Sequence, residues 1–217
     1  MDVVILSNRK DKYLPDCLES LLEHVNPIDD IIVIDDSGDL QWREGLGFTV
    51  IPVDDKPAGY TRAMAKVVET LSQLDGPAFF VEEDFIFNDE VDLDVMLAEM
   101  EASPCRLAQV ALERDPWYAN EKACGSVSQA QLERVKVERG WGNLEVDGAL
   151  LVHDLGFTCN PSIWNPEVLE LGWPQVQWSE TAFGDLCLKN GFIFSYWNET
   201  GLTTHNGAVR AESSHGY

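Results

Sequence analysis

The chain has 217 residues, 45% of them hydrophobic, and carries 38 acidic against 15 basic side chains, a net charge of −23. That is enough apolar chain for one sizeable α/β core and argues against disorder, while the acidic field disfavours a phosphate-backbone partner such as DNA or RNA. No apolar run approaches the roughly 18 residues of a membrane span, and "MDVVILSNRK" is too short in its apolar part for a signal peptide, so a cytoplasmic protein is expected.

Taken in chain order, "DVVIL" (2–6) is a β-branched run that predicts a first buried strand. Leu14, Leu18, Leu21 and Leu22 then recur at helical spacing, which predicts a helix over 15–24 with Pro15 in its first turn. "IIVI" (31–34) predicts a second strand ending at Asp35 and Asp36, and "FTVIPV" a third. "AGYTRAMAKVVETLSQL" predicts a long helix and "PAFFVEED" a fourth strand. Strands alternating with helices imply βαβ units and a mostly parallel sheet.

The second half is less regular. "VDLDVMLAEM" predicts a helix and "RLAQVAL" a strand. Residues 113–148 are polar, with Trp117, Tyr118 and Trp141, and read as helix and long loop. "ALLVHDLGFTCNPSIW" predicts a strand or hairpin, 167–171 a short helix, 181–190 another, and "FIFSYW" a last strand before "THNG". No repeat or linker interrupts the chain, so one domain over 1–217 is expected. The cysteines (Cys17, Cys105, Cys124, Cys159, Cys187) are odd in number and lack CxxC spacing, which predicts buried free thiols.

The acids carry the functional signal. In open α/β sheets the ligand sits beyond the carboxyl ends of the strands. Asp35 and Asp36 follow the second strand; Glu82, Glu83 and Asp84 follow the fourth and are flanked by apolar runs on both sides. In an extended segment Glu82 and Asp84 point to one side and Glu83 to the other. Two carboxylates on one side repel unless a cation lies between them, and oxygen ligands suit Mg²⁺ or Mn²⁺. Against this stands the plain alternative of a solvated loop or helix cap.

The order of these segments resembles a GT-A glycosyltransferase of the family-2 type. "VVILSNRKDKYLPDCLESLL" is similar to that family's opening strand, loop and helix, and "DDIIVIDDSGD" to its strand ending in Asp-Asp-Gly-Ser, here Asp-Asp-Ser-Gly. "FFVEED" stands at the Asp-x-Asp position with Glu82 replacing the first Asp. "FTCNPSIWNPEVLELGW" resembles the acceptor-side segment, and "SETAFGDLCLKNGF" the late helix that begins with the catalytic acid.

The resemblance implies a nucleotide-sugar half (1–88) and an acceptor and catalytic half (89–217). It sets Ser7, Arg9, Asp35, Asp36, Arg62 and Glu83 around the donor, with UDP favoured by a carboxylate facing the base. It makes Asp84, Glu82 and His205 ligands of Mn²⁺ or Mg²⁺. Glu180 becomes the general base, with Asp185 as competitor in a shifted register, and Asn160 and Trp178 line the acceptor. The implied reaction is metal-dependent, inverting transfer of a sugar from a nucleoside diphosphate-sugar to a hydroxyl of a glycan or protein. Each residue has a plainer reading: turn acids at 35 and 36, a first-turn helix acid at 180, a solvated face for Arg62 and Lys66, and core packing for most of the tryptophans. The alternatives are a sugar-phosphate nucleotidyltransferase, weakened because "LSNRKDKYLP" lacks glycine, and a non-catalytic nucleotide- or sugar-binding module. The absence of GxGxxG argues against a dinucleotide-binding dehydrogenase.

Overall fold

The computed structural model describes residues 1–8, 11–39, 47–115 and 144–208. Arg9, Trp117, Tyr118, Cys124 and Trp141, and most of the 113–148 reading, lie outside the described residues.

The first half follows the βα alternation. Strand β1 (Asp2–Ser7) leads to helix α1 (Leu14–His24), and a short β2 (Val25–Asn26) precedes β3 (Ile31–Asp35) and β4 (Thr49–Pro52). Helix α2 (Tyr60–Leu71) leads into β5 (Ala78–Glu82) and β6 (Phe85–Phe87). Then come β7 (Val91–Asp92), α3 (Leu93–Ala102), β8 (Leu107–Ala111), β9 (Arg114–Asp115), β10 (Leu144–Asp147) and β11 (Leu150–His153). The chain continues through β12 (Ser162–Trp164), α4 (Pro166–Leu169), α5 (Ser179–Lys189), β13 (Ile193–Trp197) and β14 (Thr203–His205), and a 3₁₀ turn at Asn206–Ala208 follows.

Nine strands form one sheet in the order β10-β11-β13-β8-β12-β5-β1-β3-β4. β12 and β11 run against the other seven, so the sheet is mostly parallel with helices packed on it. Because side chains alternate across a strand, each central strand feeds two cores. Val3, Ile5, Val33, Phe79 and Val81 pack with Leu14, Cys17 and Leu21 of α1 and Met96 of α3 on one face. Val4, Leu6, Ile34 and Phe80 pack with Met64, Val67 and Leu71 of α2 and Phe183 and Cys187 of α5 on the other. Truncating a buried ring such as Phe79 or Phe80 in such a sheet costs about 3–5 kcal/mol.

The helix starts follow their local chemistry. Pro15 sits in the first turn of α1. Asp92 caps α3 by accepting from the Asp94 and Val95 N–H groups, and Asn165 caps α4 by accepting from Glu167. The strand or hairpin expected over 149–164 is two strands, β11 and β12, that do not pair with each other. β11 pairs with β10 and β13, whereas β12 is inserted antiparallel between β5 and β8. Its buried Ser162, Ile163 and Trp164 suit that central position. Two small sheets complete the fold: β6-β14-β9 and β2-β7. The first joins three distant segments at the end of β5.

Candidate active site

Parallel registration sets the site. Ser7 lies beside Asp35, and Leu6 beside Glu82, so the ends of β1, β3 and β5 reach the same level. A small cleft of about 20 Å³ opens there, lined by Leu6, Asn8, Asp36, Tyr60, Ala63, Glu82, Glu83 and Asp84. The strict alternation expected for the three consecutive acids does not hold. β5 ends at Glu82 and the chain turns at Glu83 and Asp84 before β6, so all three line the cleft.

Each acid has a different employment. Buried Asp35 accepts from the Ser37 N–H at 2.9 Å. Asp36 reaches across to the loop before α2, accepting from the Ala58 N–H at 2.6 Å and the Gly59 N–H at 3.1 Å. Burial raises its pKa above the usual carboxylate value, and those two N–H groups pull it back. Glu83 turns to β1, accepting from the Ser7 hydroxyl and, at 3.0 Å, from the Asn8 N–H. The Ser7 and Glu83 side chains thus join the ends of β1 and β5.

Asp84 faces the tail of the chain. Pairing of β14 with β6 sets His205 opposite Phe85, and the Asn206 N–H donates to the Asp84 carbonyl at 2.7 Å. His205 Nε2 lies 3.4 Å from Asp84 Oδ2. Arg114, at the start of β9, contacts His205 Nδ1 at 2.7 Å. A guanidinium has no acceptor, so Nδ1 accepts and the ring proton sits on Nε2, towards Asp84. Gly207 closes this corner. A Cβ there would stand 2.4 Å from Asp84 Oδ2 and 2.6 Å from His205 Nε2, so any side chain would fill the space both groups face. The negative field reaches into the core: burial first, then Asp84 and Glu83, push the Cys17 thiol far up and keep it protonated.

Among the described residues, no three His, Cys, Asp or Glu side chains are gathered into a metal cage. The donor set nevertheless fits a hard divalent cation of the kind that takes one or two protein ligands and completes its shell with phosphate oxygens and water. Asp84 and His205 face one small space that glycine keeps open, with Glu82 lining the same cleft. For His205 to offer Nε2 to a cation, its proton must pass to Nδ1 and Arg114 must turn aside.

Helix α5 stands next to the start of α2, where the Thr61 and Ser179 hydroxyls lie 3.5 Å apart. Gly184 lets this helix approach the Phe157 segment closely, since a Cβ there would stand 3.1 Å from the Phe157 Cβ and backbone nitrogen. Phe157, Trp164, Trp173 and Phe183 stack beneath it, so Trp164 and Trp173 are core. The packing brings Glu180, in the first turn of α5, to residue 159, whose N–H donates to Glu180 Oε1 at 2.9 Å. Asp185 is exposed instead. Trp178, the residue before the helix, is 72% exposed and adopts φ 62°, a left-handed conformation uncommon outside glycine.

Other predicted residues stand elsewhere. Arg62 pairs with Asp54 at 3.5 Å and Lys66 with Glu69 at 3.0 Å, and both line a second groove with Pro52 and Gln175 rather than the acid-lined cleft. Asn160 is buried, and its amide donates to the Leu112 carbonyl at 3.1 Å, bracing the end of β8. Tyr60, Cys159 and Arg114 are residues of the site that sequence reasoning missed. Tyr60 carried one signal, its place directly after Gly59 at a helix start. Cys159 read only as a buried thiol, which it is, like Cys17 and Cys187.

No protein-family profile matches the chain, and no curated protein sequence matches it either. Solved structures do. S. aureus TarS 1–349 superposes with a TM-score of 0.60 at 16% identity, over 95% of this chain and 60% of that one. The mannosyltransferase PcManGT from Pyrobaculum calidifontis, in complex with GDP-Man and Mn²⁺, superposes with a TM-score of 0.58 at 12% identity, over 94% of this chain and 56% of that one. The inositol-1-phosphate CTP transferase from T. maritima follows at 0.50 and 12%, over 94% and 88%. The chain thus spans less than two thirds of the length of the first two. Among the described residues, no helix is long and apolar enough to cross a membrane. With strand order, acid-lined cleft and superpositions in agreement, the chain has a GT-A-like fold.

Proposed function

We propose that this protein is a glycosyltransferase that moves a sugar from a nucleoside diphosphate-sugar to an acceptor hydroxyl with inversion. One observation carries the reading: a carboxylate at a helix start, Glu180, stands near the acids at the strand ends, since Tyr60 lines their cleft and the hydroxyl of the next residue, Thr61, lies 3.5 Å from that of Ser179, beside Glu180. Glu180 takes the proton from the acceptor hydroxyl as its oxygen attacks the anomeric carbon. The bond from that carbon to the diphosphate oxygen breaks, and the nucleoside diphosphate leaves. A single displacement of this kind inverts the anomeric centre. Asp84 and His205, with Glu82 beside them, would hold Mn²⁺ or Mg²⁺, which would supply charge neutralisation for the departing diphosphate. The Mn²⁺ and GDP-Man in the Pyrobaculum neighbour support a divalent cation and a nucleotide-sugar. Asp35 and Asp36 stand on the nucleotide side, where a carboxylate favours uracil. Trp178 offers an exposed indole face to a sugar ring.

The test is thermal unfolding with UDP, GDP, TDP, CMP and ADP, each with Mn²⁺ and with EDTA. A ligand at 100 times its Kd adds about 2.7 kcal/mol. UDP is expected to raise the melting temperature only with Mn²⁺, and no response to any nucleotide overturns the reading. Glu180→Gln is expected to keep that response and lose about 10²-fold or more in transfer. A second reading, nucleotidyl transfer, draws on the T. maritima neighbour, and stabilisation by CTP or UTP in place of the diphosphates favours it.

A further inference from the structure

The Asp84 corner already contains a positive charge that the proposed reaction does not use, that of Arg114. Arg114 opens β9, which pairs parallel with β14 so that Arg114 stands opposite Thr203. The Thr203 hydroxyl donates to the Glu113 carbonyl at 3.0 Å and ties the two strands together. Arg114 is 8% exposed, so its guanidinium ends inside the protein, where a charge needs partners. One partner is His205 Nδ1, at 2.7 Å. The other nitrogen of that ring, Nε2, lies 3.4 Å from Asp84 Oδ2. The Phe85 ring packs against the imidazole, with centroids 4.9 Å apart. The imidazole is thus held at both nitrogens and by a neighbouring ring, as a bridge between a guanidinium and a carboxylate.

We propose that Arg114 is a positioning residue that sets His205 against a cation: its guanidinium serves as the counter-charge of the Asp84 corner, and a divalent ion binds by displacing it. The inference deepens the proposed function and rests on Asp84 and His205 as the cation ligands. A ligating histidine offers the lone pair of one nitrogen and as a rule gives the N–H of the other to a carboxylate or carbonyl. At His205 the second nitrogen meets a donor instead. A guanidinium cannot accept, so Nδ1 spends its lone pair on Arg114 and Nε2 carries the ring proton. That nitrogen faces the space that Gly207 leaves open, where a Cβ would stand 2.6 Å from Nε2 and 2.4 Å from Asp84 Oδ2. The ring therefore stands in the right place for a ligand and in the wrong tautomer. A guanidinium beside the ring also repels a second positive charge in the same corner. Arg114 thus weakens the hold of the site on the ion alone, and leaves diphosphate oxygens a large share in completing the shell.

Titration of the full chain with Mn²⁺ alone, with no nucleotide and no turnover, tests this by calorimetry. Arg114→Met keeps the length of the side chain and removes its charge and donors. It is expected to bind Mn²⁺ about tenfold more tightly than the parent, the scale of outer-shell effects on metal affinity. Placed on a His205→Ala background, the same substitution is expected to gain nothing, because its effect runs through the ring. A gain that survives without His205 is plain relief of charge repulsion and overturns the positioning role, as does weaker binding by Arg114→Met. A second measurement needs no variant at residue 114 to fold. Long-range proton–nitrogen NMR of the parent in EDTA at pH 7.5 is expected to show His205, identified by its loss in His205→Ala, protonated at Nε2 and bare at Nδ1. The opposite tautomer overturns the proposal. Absence of Mn²⁺ binding from the parent and Arg114→Met alike overturns the cation site and the proposal with it, whereas binding that Arg114→Met leaves unchanged overturns the proposal alone.

Discussion

Two acid clusters lie at the ends of the two strands that flank β1 and do opposite things. At the end of β3, Asp35 and Asp36 are consumed by the backbone, binding Ser37, Ala58 and Gly59 N–H groups. At the end of β5, Glu83 and Asp84 bind side chains from remote parts of the sequence: Glu83 takes Ser7, and Asp84 meets His205. The first cluster shapes a loop. The second gathers segments that only the fold brings together. An acid at a strand end therefore acquires its role from what arrives opposite it.

The largest expected effect breaks the comparison at its active end. Asp84→Asn keeps the shape of the side chain and removes its charge. Turnover is expected to fall about 10³-fold, roughly 4 kcal/mol of transition-state stabilisation, with the Mn²⁺-dependent melting response abolished. Unchanged metal response would put Asp84 in the same structural class as Asp36.

The next effect separates the cleft from the core. His153 on β11 is buried against Tyr196, whose ring stacks on it at 5.2 Å between centroids. Burial lowers its pKa from 6.5 to about 4. Between those values the unfolded chain takes up a proton that the native state refuses. Its contribution to stability is complete above pH 6.5 and is lost as pH falls towards 4, a change of about 3 kcal/mol. Unfolding free energies of His153→Phe, measured at pH 7 and pH 4, are expected to differ by about 3 kcal/mol less than those of the parent. An unaltered pH slope assigns acid unfolding to the cleft carboxylates instead.

The smallest effect sharpens the quiet cluster. Asp36→Ala leaves two N–H groups at the start of α2 without their acceptor and is expected to cost about 1–3 kcal/mol in denaturant unfolding. Because Asp36 also lines the cleft, the nucleotide response is expected to weaken as well, and an unchanged response would confine Asp36 to holding the loop.

How much of this was legible in the sequence follows from the range of the interactions. The strands and helices of the first half announced themselves through β-branched runs, helical leucine spacing and a proline in the first turn of α1. The acids at 35, 36 and 82–84 stood out because charge interrupts apolar strands. The resemblance preferred Glu180 to Asp185, and the structure adds that Glu180 accepts from the residue 159 N–H while Asp185 is exposed. Asn160 read as a ligand contact because its segment resembled an acceptor loop. Its amide instead satisfies the Leu112 carbonyl, a partner 48 residues away. Arg114 and Cys159 carried no local pattern, since their meaning comes from His205 and Glu180. The place of β12 was hidden for the same reason: a short apolar strand does not state its neighbours.

That insertion of β12 has a consequence for how the protein comes into being. β5 is paired on one side by β1, which precedes it in the chain, and on the other by residues 162–164, which follow it. A ribosome that has released only the first half has made a sheet with an open edge, and Phe79 and Phe80 lie on the strand that bears it. Contacts of such long sequence separation form late, and open edges invite pairing with other chains. The corner that joins Asp84 to His205 closes later still, when residues 203–205 add to β6. The growing chain therefore acquires its acids early and the His205 corner that faces Asp84 last.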